Sequence, residues 1–209
     1  MIAGFLRAFL LFCLKVPMLL LGLVVVWVAL KGKLRIESDP KVFSQYPQYG
    51  SWRLVRLPKW AILWDNAFDG LWGDKRGWWA NYCADQYNEP HDSHISMWRW
   101  AALRNPANYF SRNVCGVDVS TLTIQQRAGN ISAEGISPYR GWYLLRGKDQ
   151  NGKIYPRFYL EYAFKGTYGL MVDIGWKIKL SHNGTPADAP EKDRIKGIVF
   201  TLSPYKELS

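Results

Sequence analysis

Apolar positions are concentrated at the start of this chain and then thin into shorter patterns. Residues 8–30 hold a single charge, Lys15, and the run 16–30 (VPMLLLGLVVVWVAL) holds none. As a helix rising 1.5 Å per residue, the longer stretch reaches roughly 34 Å, close to the thickness of a bilayer core. Residues 36–49 (IESDPKVFSQYPQY) carry two prolines among scattered polar positions and read as an extended connector. In 52–64 (WRLVRLPKWAILW) apolar residues alternate with Arg53, Arg56 and Lys59, which suits a short helix or strand at a head-group surface or at the rim of a core. A helical period returns over 94–104. There Ile95, Trp98 and Ala102 share a face that Met97, Ala101 and Leu103 broaden; Asp92 or Ser93 caps its start, and Asn105 before Pro106 ends it.

After Cys115 the period switches to two. Residues 121–127, 141–146, 154–164, 168–180 and 195–202 read as strands, with Asn151-Gly152 as a two-residue hairpin turn and 181–193 as a loop. The alternation in Phe158-Tyr159-Leu160-Glu161-Tyr162 predicts one buried and one solvated face, and Gly169 and Gly175 predict bulges or strong twist. The expected fold class is α+β: an N-terminal membrane helix, then a small domain with a short helix and an antiparallel β-sheet of four to six strands. Three regions follow: a membrane anchor over 1–35, an aromatic-rich loop and helix region over 36–118, and an antiparallel sheet region over 119–209.

The anchor can be read more closely. A cleaved signal peptide would need small residues after its apolar core, whereas Val28-Ala29-Leu30-Lys31-Gly32-Lys33 stands there. Lys15 within the run costs about 2.5–3.5 kcal/mol on insertion unless it snorkels. Pro17 suits the first turn of a helix. Together they predict an interfacial helix over 2–14, with Arg7 and Lys15 at head groups, followed by a transmembrane helix from Val16 to about Gly32; a tilted single span through both pieces is the alternative. Trp27 belongs near an interface, and Lys31, Lys33 and Arg35 outweigh Arg7 as flanking charge. The positive-inside rule therefore places the C-terminal bulk in the cytoplasm.

Charge widens the choice of partner. Lysine and arginine outnumber acidic residues 27 to 17, for a net charge of +10, which suits an anionic leaflet or a nucleic acid. The cations of the sheet region, Arg140 and Arg146 among them, are scattered at strand ends, so nucleic-acid binding is not favoured. The 11 tryptophans suit surfaces with one apolar and one wet side. Cys13, Cys83 and Cys115 form no paired framework.

Candidate chemistry is sparse. Arg53, Arg56, Lys59 and Trp60, with Arg104 and Asn105 at the helix end, form a candidate interface. Cys83, Asp85, Glu89, His91 and His94 are a weak candidate metal cluster, since their spacing matches no standard zinc module and Pro90 interrupts the helix that would align the histidines. A calcium loop from Asp65 fails because Ala67 and Arg76 occupy ligand positions; Asx turns explain those residues. No catalytic motif is present, so no cofactor is expected and the chain is read as non-enzymatic.

Leu57-Pro58-Lys59-Trp60, Trp64-Asp65-Asn66, Asp69-Gly70, Trp98-Arg99-Trp100, Leu103-Arg104-Asn105-Pro106 and Asp173-Ile174-Gly175-Trp176-Lys177 follow one another in this order. This series resembles a group of small uncharacterised proteins of tailed bacteriophages. The resemblance implies a setting, the host envelope or the virion, and no activity. The reading is a phage-encoded, membrane-anchored binding or structural protein whose partners are membrane lipid and a host inner-membrane protein or phage structural protein. The alternatives are a virion component that meets the membrane during genome delivery, and a nucleic-acid-binding or metal-dependent protein. The oligomeric state is not legible.

Overall fold

The computed structural model describes residues 1–38, 53–66, 71, 93–131, 140–179 and 194–208. The chain divides into two units. The first comprises Met1–Cys13 with Cys115–Ser209, the second Leu14–Val114.

Helix α1, Ile2–Ala29, contributes to both. Its leucines, alanines and valines give it length, and it runs on through Pro17, so the two-helix anchor expected from that proline is one helix instead. An interior proline removes a backbone hydrogen bond and costs about 3 kcal/mol. Packing of the residues on either side offsets that cost. Gly4 and Ala8 are buried in the first unit, and Gly22, Val26 and Ala29 in the second, each set spaced by three or four so that it lies on one stripe of the helix. Gly4 and Gly22 are there for close approach: a Cβ at Gly4 would come within 2.7 Å of the Pro156 ring, and one at Gly22 within 2.8 Å of the Trp64 indole.

In the second unit, β1 (Arg35–Ser38) pairs antiparallel with β2 (Arg53–Arg56), and a 3-10 turn covers Lys59–Trp64. Helix α2, His94–Trp98, starts at Ser93, whose hydroxyl accepts from the Ser96 amide at 3.2 Å. It widens into π-type turns over Arg99–Arg104, and the Asn105 amide bonds back to the Trp100 carbonyl. The wider turn changes which side chains face inward. Met97, Trp100, Ala101 and Ala102 are buried, while Ile95 and Leu103, expected on the packed face, are exposed. The core of this unit joins Val26 and Ala29 of α1, and Leu30 just after it, to Val55, Leu57, Ala61, Met97 and Ala101.

The first unit is built on a five-stranded antiparallel sheet ordered β4-β5-β6-β7-β9. Its strands are β4 (Thr123–Gly129), β5 (Arg140–Lys148), β6 (Ile154–Lys165), β7 (Tyr168–Trp176) and β9 (Ile198–Glu207). The short strands β3 (Val117–Asp118) and β8 (Ile195–Lys196) pair separately. The β5–β6 connection is longer than a two-residue turn, since Lys148 pairs with Ile154. Asp149 takes over the loop: its carboxylate accepts from the amides of Asn151 and Lys153, an Asx-type arrangement, and Gly152 supplies φ +80°. Both glycines flagged in β7 disturb regularity. The register with β9 shifts between Gly169 and Met171, and Gly175 sits at φ +113°, where a Cβ would run into the Pro156 carbonyl.

The expected α+β class holds, with an N-terminal apolar helix, short helices and antiparallel sheets of five and two strands among the described residues.

Candidate membrane-contact site

Strand alternation divides the side chains of the large sheet into two sets of opposite character. β6 sends Arg157, Tyr159 and Glu161 to one face, where Tyr143 of β5 and Asp173 of β7 stand beside them in register. All five are buried. The Arg157 guanidinium grips both carboxylate oxygens of Asp173, Nε and Nη2 each at 2.8 Å, and donates a third bond to the Ile178 carbonyl at 2.8 Å. It lies beside the rings of Tyr143 and Tyr159, 5.6 and 5.5 Å from their centroids, and the two rings stack on each other at 5.2 Å. Tyr159 donates its hydroxyl to Glu161 Oε2 at 3.0 Å, while Oε1 of Glu161 has no partner among the described residues. Such a network fixes register, because a one-residue slip would expose every charge in it to the wrong face.

The opposite face is apolar. It carries Trp142 and Leu144 of β5, Phe158, Leu160 and Tyr162 of β6, and Val172 and Ile174 of β7, all at least partly exposed. Residues of α1 meet the same face: Phe12 stacks on Phe200 at 4.8 Å and Phe9 tilts against it at 5.9 Å. Arg7, a charge within an otherwise apolar helix, is held by the sheet. Its guanidinium sits 4.4 Å from the Tyr155 ring and 4.7 Å from that of Trp176, and it donates to the Ile154 carbonyl at 2.8 Å. Burial, opposed by Arg7, raises the Tyr155 phenol above its ordinary value.

In the second unit α1 is held by tryptophans. Trp64 donates its indole N–H to the Met18 carbonyl at 2.7 Å, and Trp98 donates to the Leu23 carbonyl at 2.8 Å. Around this packed stripe the helix shows Leu20, Leu21, Val24 and Val28 to the outside, and Leu6, Leu10 and Leu14 stand exposed further toward its start. It is the one helix among the described residues that is long and apolar enough to cross a membrane.

The residues expected to set the anchor are distributed along this helix and just after it. Pro17 is exposed and Lys15 half-buried. Trp27 meets the His94 ring edge-on at 4.2 Å and carries Lys31 at 5.8 Å over its own ring; Lys33 is exposed. Arg35 is committed to the fold. Its Nε donates to the Leu57 carbonyl at 2.7 Å and its Nη2 reaches Asp65 at 3.3 Å.

Of the candidate interface residues, Arg56 bonds the Asn66 carbonyl, Lys59 and Trp60 are exposed, and Arg53 lies in β2 opposite Ser38. Arg104 and Asn105 both turn back on Trp100, the first over its ring at 4.7 Å and the second bonding its carbonyl at 3.3 Å. Asp65 is buried, and burial outweighs the nearby Arg56 and Arg35 to hold its carboxyl at about 6.

Cys83, Asp85, Glu89 and His91 lie outside the described residues, as does most of the acidic loop after Asn66. His94 is described. It packs on Trp27 with Nε2 unpartnered among the described residues, and burial together with Lys31 lowers its pKa. Cys13 is exposed and Cys115 buried, and no disulfide joins the two.

Phe200 and the apolar sheet face were not singled out from sequence, and Arg7, expected at head groups, is instead held by Tyr155, Trp176 and the Ile154 carbonyl. The signal for the face was present, since even-numbered positions from Ile154 to Trp176 are apolar or aromatic on both strands. No curated protein and no solved structure matches the chain. A family model does match, over residues 1–209, and the chain belongs to that family, described as a family of unknown function, DUF7338.

Proposed function

We propose that this protein is a membrane-anchored binding or structural protein without catalytic activity, encoded by a tailed phage and working at the host inner membrane with its C-terminal bulk on the cytoplasmic side. The phage setting rests on the short motifs from Leu57 to Lys177, and sidedness rests on the cations that follow α1. One observation carries the anchoring itself. Helix α1 has no acidic residue, and outside its packed stripe it presents leucine, valine and phenylalanine to its surroundings. Apolar surface on that scale is costly in water at roughly 25 cal/mol per Å² and favours transfer into lipid.

The test is fractionation of cells expressing the full chain and a chain lacking residues 1–32, with salt and then carbonate washes. Anchoring predicts that the full chain stays in the membrane through both washes. Release by salt alone would mean electrostatic attachment and sink the proposal. Proteolysis of inverted and right-side-out vesicles reads sidedness, and mass spectrometry of purified particles tests the virion alternative, which predicts a defined copy number there.

A further inference from the structure

The large sheet buries three charges on one face and shows an apolar side on the other, the reverse of a sheet that packs on a core and faces water. Arg157, Glu161 and Asp173 are 2%, 1% and 6% exposed, whereas Phe164 is 54% and Leu202 73% exposed on the other side. On β5, β6 and β7 that outward face carries no carboxylate, because Glu161 and Asp173 both point inward. It does carry cations along one border. Arg140, Arg146 and Lys148 alternate with Trp142 and Leu144 on β5, and the Arg140 guanidinium lies 5.2 Å over the Tyr162 ring.

At another edge Tyr168 stacks on Tyr205 at 5.0 Å, with Phe164 6.1 Å from the same ring. Aromatic rings with polar tips, an apolar middle and a cationic border match the boundary between acyl chains and anionic head groups. The face is also continuous with α1, through Phe9 and Phe12 on Phe200. Arg7 reinforces this arrangement, since its contacts with Tyr155, Trp176 and the Ile154 carbonyl hold the start of α1 beside the sheet. A start held in this way does not enter the bilayer as a lone helix.

We propose that the outward face of the five-stranded sheet is a second membrane-contact surface, seated on the anionic head-group boundary together with residues 2–13 of α1. The inference rests on the anchoring proposed above. It adds that the sheet lies on the bilayer and does not hang from it.

The experiment uses the full chain with its own cysteines replaced by alanine, reconstituted into vesicles of phosphatidylcholine and phosphatidylglycerol in equal parts. An environment-sensitive fluorophore is placed in turn at Leu10→Cys, Phe164→Cys, Leu202→Cys and, as an exposed control away from the face, Ser120→Cys. All four side chains replaced are exposed. Spin-labelled lipids then act as quenchers from within the bilayer, and iodide from the water.

The expected result is a blue shift and loss of most emission to lipid quencher at positions 10, 164 and 202, with position 120 quenched only by iodide. If position 10 is lipid-quenched while 164 and 202 behave like 120, the sheet face stands clear of the bilayer; the inference is overturned and the anchoring survives. Protection of 164 and 202 from both quenchers would put a second protein copy on the face and would also overturn it. Iodide access at position 10 would remove the anchoring and the inference together.

Discussion

The Arg157–Asp173 pair gives the most direct test of the sheet's inverted polarity. Arg157 is 2% exposed and makes two 2.8 Å bonds to Asp173. Asp173→Ala would leave the guanidinium buried without the carboxylate that neutralises it. Removing one partner of a buried pair costs about 3–5 kcal/mol, chiefly because the remaining charge cannot reach water. For a unit of about 100 residues that is a fall in Tm of roughly 12 °C or more.

The double variant Arg157→Met with Asp173→Leu behaves differently, since both charges go. Its remaining cost is the Ile178 carbonyl, left without its donor, about 1–3 kcal/mol. Near-UV circular dichroism of the full chain in mild detergent, followed through heating, reads both variants against the parent. The double variant is expected to melt above the single one. A single variant that loses less than about 1 kcal/mol, or a double variant that is no better, would refute the burial of this pair as the cause.

Three further outcomes follow from the geometry. Asp65 has its carboxyl raised from 3.8 to about 6 by burial, so its contribution to stability is fully present below pH 3.8 and is lost as pH rises through 6. Going from pH 4 to pH 7 costs the fold about 2 kcal/mol through this group. Asp65→Asn flattens that dependence in urea titrations at the two pH values, and an unchanged slope would contradict the assignment. Gly175→Ala places a Cβ against the Pro156 carbonyl at φ +113° and is expected to destabilise by about 3 kcal/mol, read as a lower urea midpoint; a midpoint within error of the parent would count against this backbone. Glu161→Gln removes a buried carboxylate whose Oε1 is unpartnered and is expected to raise the urea midpoint by about 1 kcal/mol equivalent, whereas a clear loss would show that the charge has a partner.

Much of the framework was legible along the chain, because it rests on local periodicity. The strands of 121–127, 141–146, 154–164 and 168–180 were set by alternation and β-branched or aromatic content, and the structure extends or trims them by a few residues. Ser93 and Asn105 marked the ends of the helical segment through capping and proline geometry. Where tertiary contacts compete with local preference the pattern misled. Pro17 signalled a new helix, yet packing on both sides carries α1 through it. The π-type widening after Trp98 moved Ile95 out of the buried face. Asn151-Gly152 signalled a tight turn, yet the Asp149 carboxylate gathers a longer loop.

The sequence by itself determined that a long apolar helix precedes an antiparallel sheet whose two faces differ, since hydrophobicity and period are properties of neighbouring residues. It could not say which face would be buried. That depends on whether Arg157, reaching across to Asp173 and Ile178 and lying beside the stacked rings of Tyr143 and Tyr159, finds enough partners to leave water. Those partners lie on different strands and on the segment after β7, and only folding brings them together. Once they satisfy the charge, the even-numbered apolar residues have no place but the outside, and the surface of the first unit is decided.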